Sequence, residues 1–391
     1  MSLFPTYKRF PLTIESAKGT TVVDDQGNEY LDFVSGIAVC NLGHRPPAVQ
    51  QAVEEQLDKL WHVSNLYQIP LQQEAAEFLT NVTNLDCVFF CNSGAEANEA
   101  AIKLARKHTG REKIITFTNS FHGRTFATMS ATGQEKVQEG YGTMLPTFEY
   151  LPYNEMEALK DLQGEDIAAI MIEVIQGEGG LVEGKASFLE AVQEKCRKLG
   201  ALLIIDEVQT GIGRTGAPFA FQHAELDPDI VTAAKGLGSG FPVGAMIGKA
   251  PLAESFTPGS HGTTFGGNPL AMAAVKATLE TIFNYHFLQE VKEKAAYFQE
   301  ELQTRLLPLS TVREVRGQGL MIGIEVKGSV PTIIGELRGQ GLLAVPAGTH
   351  VLRLLPPLNV SYEELQTAVQ QLESVLKQTK AADEEELSSN R

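Results

Sequence analysis

The chain of 391 residues has little cysteine, four residues in all, and a single tryptophan. Cys40, Cys87, Cys91 and Cys196 make no C-x-x-C pair and have no companion histidine pattern, which argues against a disulfide framework or a zinc site and for free thiols. His44, in NLGHRPP, and His122 accordingly read as structural groups or supports for a site, not as metal ligands. Basic residues are the second shortage: 32 Lys and Arg stand against 48 Asp and Glu, a formal charge of -16. Nucleic acid and anionic membrane surfaces both ask for a basic face, so neither is an expected partner. No apolar run approaches the roughly 20 residues of a membrane span, and MSLFPTYKRF lacks the apolar core of a signal peptide. A cytoplasmic protein is the expectation. Any anionic substrate has to be met by individually placed arginines.

Two domains fit the length, and 43% hydrophobic with 20% charged residues is an ordinary globular balance. GTTVVDDQGNEYLDFVSGIAVCNLGH reads as two short strands around the turn at 26–28, then irregular chain, so residues 1–46 are expected to form an N-terminal arm that joins the smaller domain. From Pro47 the pattern alternates: a helix through Leu60, a helix after Pro70, a strand at 87–91 and a small-residue helix from Gly94. Ala97, Ala101, Leu104 and Ala105 share one face of that last helix and let it pack closely on a sheet. Apolar runs follow at 113–117, 167–175, 201–205, 230–234 and 243–247. This alternation predicts an α/β fold, with a large domain over 47–268 built on a mostly parallel central sheet. After HGTTFGGNP a helix from Leu270 runs past Ile282 and short strands follow, marking a smaller α+β domain over 269–380. In its last helix Ser361 and Glu364 make a capping box, and Leu365, Val369, Leu372 and Leu376 form an apolar stripe. The tail 381–391 has no apolar face and is expected to be disordered.

The chemistry concentrates in two stretches. ALLIIDEVQTGIGRTG, residues 201–216, closes an apolar strand with Asp206, and DIVTAAKGLGSGFPVGA closes the next with Lys235. A lysine or aspartate at one strand end means little alone; opposite charges at neighbouring strand ends need a reason. A buried lysine is costly as a cation, so its pKa falls and its amine becomes a nucleophile and proton carrier. Gly236, Gly238 and Gly240 then allow sharp turns beside a bulky ligand. Gly211, Gly213 and Gly216 also spell the G-x-G-x-x-G of a dinucleotide-binding turn. That reading needs a helix straight after the turn and a ribose-binding acid at the next strand end. Here APFAFQHAELDPD follows, with two prolines and poor period, and the next strand ends in Lys235.

Six ordered blocks carry a family likeness: CNSGAEANEAAIKLAR, NSFHGRT, EVIQGEGG, LLIIDEVQTGIGRTG, AAKGLGSGFPVGA and HGTTFGGNP. Through them the chain, up to about residue 380, resembles the class III, or ornithine-type, aminotransferases of the fold type I pyridoxal-phosphate family. The resemblance implies pyridoxal 5'-phosphate as cofactor, with Lys235 bonded to its aldehyde and Asp206 beside its ring nitrogen. Ser93, Gly94 and Ala95, where a strand gives way to a helix, offer backbone N–H groups to the phosphate. Phe121 matches the aromatic stacked on the ring, Val208 its other face and Gln209 the neighbour of the ring hydroxyl; Glu207 counts with them among the cofactor-binding residues. Thr264 matches the residue that reaches the phosphate from a neighbouring subunit, which makes a homodimer with shared sites the expected assembly.

The implied reaction moves a terminal amine to 2-oxoglutarate in two halves, so one pocket takes a donor with a remote carboxylate and an acceptor with a carboxylate beside the reacting carbon. Arg124 matches the arginine for the distal carboxylate and Arg353 the one for the proximal carboxylate, tasks suited to bidentate guanidinium pairing. Glu178 would neutralise Arg353 while the donor is bound, and Thr263 resembles a substrate contact made across the subunit boundary. Ornithine aminotransferases usually place a tyrosine where this chain has Ile37, and an apolar residue there suits a donor whose α-amine is acylated and uncharged. Acetylornithine therefore leads as donor. Succinylornithine, N-succinyl-diaminopimelate and 4-aminobutyrate are the rival substrates, an aminomutase of the same fold is a rival reaction, and a catalytically silent binding protein is disfavoured by the presence of both Lys235 and Asp206.

Overall fold

Seven strands form the main sheet of this computed structural model, which describes residues 2–389, with side chains through residue 379. In space their order is Cys87–Cys91, Gly244–Gly248, Ile230–Ala233, Leu202–Asp206, Ile167–Ile172, Lys113–Phe117, Phe148–Leu151. Gly244–Gly248 runs against both neighbours and every other pairing is parallel. Ile167–Ile172 and Ile230–Ala233 are buried at every position, as continuous apolar strands covered on both faces should be. Periodicity could not foretell the one reversed strand, because Gly244–Gly248 is buried at every position, as the parallel strands Ile167–Ile172 and Ile230–Ala233 are. The chain has the α/β architecture of the fold type I transferases, with its large sheet mostly parallel.

Local chemistry sets the helices. Prolines open Pro47–Leu57, Pro70–Thr83 and Pro269–Ile282, at first-turn positions whose N–H has no intrahelical use. Ala97, Ala101, Leu104 and Ala105 of helix Gly94–Thr109 are buried, as the small-residue face predicts. The helix expected to run past Ile282 stops there: the Asn284 side chain accepts the His286 N–H at 2.9 Å and starts a second helix, Tyr285–Leu306. Ser361 and Glu364 cap the last helix reciprocally, at 2.7 and 3.1 Å, and Leu365, Val369, Leu372 and Leu376 are fully buried. That helix, Tyr362–Ser389, carries its backbone through most of the tail expected to be disordered; the same expectation for residues 390 and 391 falls outside the described residues.

A second sheet, antiparallel throughout, holds Val312–Gln318, Met321–Val326, Val351–Leu354 and Val345–Ala347 in that order. A third pairs the N-terminal strands Ile14–Lys18, Thr21–Asp24 and Glu29–Asp32 with Leu342–Leu343 from the C-terminal part. A hairpin of two short strands, Ile175–Gln176 and Val182–Glu183, leaves the main sheet just beyond Ile172. Among the described residues no helix is long and apolar enough to cross a membrane.

Candidate active site

The carboxyl ends of the parallel strands meet along one edge of the main sheet. Ser93 follows Cys87–Cys91, Phe121 and His122 follow Lys113–Phe117, Glu173 follows Ile167–Ile172, Asp206 ends Leu202–Asp206 and Lys235 follows Ile230–Ala233. The reversed strand joins by its start, Gly244 pairing with Cys91, which brings Val243 to the same edge. All of these line one cavity of about 420 Å³. The carboxyl edge of an open α/β sheet is where such folds bind ligands.

Ser93 is extended, at φ -157° and ψ 164°, and its Oγ accepts the Glu96 N–H at 3.2 Å, capping helix Gly94–Thr109. The N–H groups of Gly94 and Ala95 fall in the first turn, where a helix leaves amides without internal partners. Only glycine fits at 94: a Cβ there would lie 2.7 Å from Val208 Cγ1.

Asp206 is buried. Its Oδ1 accepts the Val208 N–H at 3.0 Å, while Oδ2 accepts Asn98 Nδ2 at 2.8 Å and lies 2.7 Å from His122 Nδ1. Thr232 Oγ1 donates to Asn98 Oδ1 at 2.7 Å, which fixes which end of the amide faces Asp206. Burial alone would push the His122 imidazole down, but the bond to Asp206 together with the charges of Asp206 and Glu173 outweighs it and holds His122 above the ordinary histidine value. Glu173 Oε2 accepts the Phe121 N–H at 3.0 Å and so fixes the loop carrying Phe121 and Arg124. Burial raises the Glu173 carboxyl. Arg124 is exposed, with its guanidinium carbon 5.6 Å from the centre of the Phe121 ring.

Lys235 stands in the left-handed region, at φ +47°, an uncommon conformation for a side-chain-bearing residue and one that concentrates at functional sites. Burial lowers its pKa from the ordinary lysine range, with Glu178 opposing that shift and Arg353 adding to it. Gly236 follows because a Cβ there would lie 2.2 Å from Asn41 Nδ2.

Arg353 is 1% exposed and reaches out from Val351–Leu354. Its Nη1 donates to Glu178 Oε1 at 2.6 Å, to Gln209 Oε1 at 3.0 Å and to the Gly177 carbonyl at 3.1 Å, and Nη2 donates to the Pro346 carbonyl. Burial would raise the Glu178 carboxyl, but Arg353 outweighs it and holds the group below the usual glutamate value. The site thus holds one cation neutralised at rest and another, Arg124, that makes no ion pair among the described residues.

A family model for aminotransferase class-III matches residues 4–376. The chain belongs to the class-III aminotransferases. It is 59% identical over 376 residues, 96% of this chain and 97% of the relative, to the acetylornithine aminotransferase of Bacillus subtilis (strain 168). It is equally 59% identical to that of Halalkalibacterium halodurans, over 96% of this chain and 98% of the relative. Among solved structures, N-acetylornithine aminotransferase from Stenotrophomonas maltophilia K279a superposes with a TM-score of 0.84 at 37% identity, over 96% of this chain and 98% of the other. The ornithine aminotransferase from Toxoplasma gondii, described with partial occupancy of PLP at its active site, superposes at 0.91 with 32% identity, covering 97% and 93%. Backbone shape therefore does not separate the two donors.

The pocket of this aminotransferase suits pyridoxal phosphate on its own evidence: free helix N-terminal amides at one end, a buried carboxylate tied to an imidazole at the other, and a lysine between the two strand ends that carry them. Ser93, Gly94, Ala95, Phe121, Arg124, Glu178, Asp206, Val208, Gln209 and Lys235 all line the cavity. Arg353 stands behind its wall, held through Glu178 and Gln209. Glu207 departs from the expectation. Its carboxylate turns away from the cavity to accept the N–H groups of Ala220 and Phe221 and the Thr210 hydroxyl, because the turn at 220–224 needs an acceptor there. Thr264 is exposed and lies off this chain's own cavity, while Thr263 Oγ1 accepts Asn92 Nδ2 at 3.1 Å.

Ile37 also lies off the cavity wall. With Ser35, Gly36 and Ala38 it forms a left-handed turn, φ 49° to 67°, that presents Val39 to the cavity. Asp32 Oδ1 accepts the N–H groups of Val34 and Ser35 and so starts the turn. Asn98, Glu173 and Val39 are site residues that sequence reasoning missed. Only Asn98 had a usable signal, as a polar residue beside the small-residue face of its helix.

Proposed function

We propose that this aminotransferase moves the terminal amine of N2-acetyl-L-ornithine to 2-oxoglutarate, giving N-acetyl-L-glutamate 5-semialdehyde and L-glutamate, a step of arginine biosynthesis. The observation that carries the reading is the Arg353–Glu178 pair at 2.6 Å beside Lys235, with Arg124 separately placed over Phe121. One cation is available to both substrates and one only when its partner withdraws, which is what a donor with one remote carboxylate and an acceptor with two carboxylates require of one pocket.

When bound, pyridoxal phosphate supplies an electrophilic aldehyde and a ring that delocalises the electron pair left on the substrate carbon. The amides of Gly94 and Ala95 with Ser93 hold its phosphate, as helix N-termini hold anions. Asp206, oriented by His122 and Asn98, would stand at the ring nitrogen. Phe121 and Val208 would hold its two faces and Gln209 its hydroxyl, all three lining the cavity. Lys235 would hold the aldehyde until a donor amine takes its place, and its freed Nζ would be the group that moves a proton at the substrate carbon. Its lowered pKa leaves the amine free to do so. Arg124 takes the remote carboxylate of acetylornithine and the side-chain carboxylate of glutamate. Arg353 takes the carboxylate beside the reacting carbon of glutamate, after Glu178 leaves it.

A homodimer in the cytoplasm completes the reading. Trp61, Leu66, Tyr67 and Phe265 are 60% exposed or more and lie around the segment that carries Thr263 and Thr264, a patch that suits a second copy. Thr264 would then serve the phosphate of the partner's site and Thr263 its substrate. Hybrid dimers made from Thr264→Ala and Lys235→Ala chains should recover part of the activity, each hybrid holding one site with both contributors intact. No recovery in verified hybrids would return Thr264 to its own subunit. Donor specificity is tested by profiling acetylornithine, succinylornithine, N-succinyl-diaminopimelate and 4-aminobutyrate with 2-oxoglutarate as acceptor. A preference for another donor, or turnover without 2-oxoglutarate, would replace this reading.

A further inference from the structure

Glu178 sits in the loop 177–181 of the hairpin Ile175–Gln176 and Val182–Glu183, and that loop is held from outside the main sheet. Arg316, in Val312–Gln318, donates through Nη2 to the Gly180 carbonyl at 2.8 Å and through Nε to the carbonyls of Gly180 and Leu181 at 3.2 and 3.1 Å. Its Nη1 donates to Glu325 Oε2 at 2.7 Å and to Glu314, which sets the plane of the guanidinium. Next to it the Gly317 N–H donates to Glu183 Oε1 at 2.9 Å, and the Gly348 N–H donates to the Glu178 carbonyl at 3.0 Å. Gly180 and Leu181 lie at φ +110° and +51°, and for leucine the second value is strained unless its surroundings impose it. Arg316 supplies that constraint.

A second cavity, of about 650 Å³, lies beyond the loop and is lined by Glu178, Gly180, Arg316 and His350. Glu178 lines this cavity and the one holding Lys235. Its carboxylate therefore has space to leave Arg353 while the loop backbone stays in place.

We propose that Arg316 is a positioning residue: by fixing the carbonyls of Gly180 and Leu181 it keeps the Glu178 carboxylate on Arg353 and so sets the balance between the two half-reactions. The inference rests on Glu178 acting as the removable partner of Arg353. Arg316 does not line the cavity that holds Lys235, so its effect on that cavity passes through the loop carrying Glu178.

The test is a double-mutant cycle read in single-turnover half-reactions. Arg316→Met should lower kcat/KM for acetylornithine about five- to tenfold, mostly through KM, the size of coupling within one hydrogen-bonded network, and leave the glutamate half unchanged or up to about twofold faster. In a Glu178→Gln background the same substitution should change either half by less than about twofold, because the group it positions is already lost. Arg316→Lys, which keeps one donor, should recover part of the loss; if Arg316→Met does not fold, the cycle run with Arg316→Lys should give a smaller effect of the same sign. Equal losses in both half-reactions, or an undiminished acetylornithine loss in the Glu178→Gln background, would make Arg316 a mere support of the fold and overturn the inference. Glu178→Gln that alters neither half-reaction would instead remove the gate itself, whatever Arg316 does.

Discussion

Asp206 and His122 meet at 2.7 Å at the carboxyl edge of the main sheet, with the imidazole fully buried and its Nε2 without a hydrogen-bond partner among the described residues. The geometry gives the buried Asp206 carboxylate a hydrogen-bonded imidazole whose protonated form that bond favours. Asp206→Asn should slow turnover at least about a hundredfold, whereas His122→Gln, which keeps a donor but not its charge, should cost about tenfold. Steady-state rates at matched cofactor content decide it. Near-normal turnover in Asp206→Asn would exclude the carboxylate from the chemistry.

Lys235→Ala should abolish transamination without unfolding the chain, since the amides at 94 and 95 and Asp206 keep their places. The cofactor should still be retained by these contacts but no longer be covalently fixed by borohydride. Peptide mass spectrometry of the reduced wild-type protein should find the label on Lys235. A label on any other lysine would sink the assignment.

His44 provides a pH test of the turn that presents Val39. Its Nε2 lies 2.7 Å from Asp32 Oδ2, and Asp32 Oδ1 caps the left-handed residues that follow. The bonds to Asp32 and then Cys40 raise the imidazole from 6.5 to about 10. A histidine raised on folding stabilises the fold fully below its unfolded value and loses that contribution as pH rises through its folded value. Wild-type stability should therefore fall, relative to His44→Gln, between about pH 6.5 and 10. Parallel melting curves for the two proteins across this window would show that the pair does not hold the turn.

Much of this site was legible because strand ends advertise themselves. Asp206 and Lys235 are charges closing apolar runs, and Ser93 is a polar cap between a strand and a helix, each a local break in pattern. Glu173 was not legible: it lies inside the apolar run 167–175 and is passed over until the strand is seen to end at Ile172 and the Phe121 N–H to depend on it. Glu207 misled for the opposite reason, since adjacency to Asp206 says nothing of direction along a strand whose successive side chains point to opposite faces. Arg316 stayed hidden because its partners are backbone carbonyls more than a hundred residues away, which leave no mark on the residue types. The reversal of Gly244–Gly248 and the left-handed turn at 35–38 are likewise backbone facts.

On the proposed reading, Arg353 and Arg124 divide the two substrates between them. Arg353 is buried and already paired, so a carboxylate reaches it only by replacing Glu178; Arg124 is exposed at the cavity edge and open to both substrates. Arg353→Ala should then slow the glutamate half-reaction far more than the acetylornithine half-reaction, while Arg124→Ala slows both. Loss of a charge-assisted pair in a desolvated site is worth about 2 to 5 kcal/mol, so the selectivity should exceed roughly tenfold. Glu178→Gln should act in reverse: with Arg353 uncovered, glutamate binds more tightly and acetylornithine meets an unpaired cation beside its carbon chain. Single-turnover spectra of each half-reaction separate the cases. Equal losses in both halves for Arg353→Ala would leave Arg353 a structural residue, and the pocket would need another explanation for accepting two substrates of unequal reach.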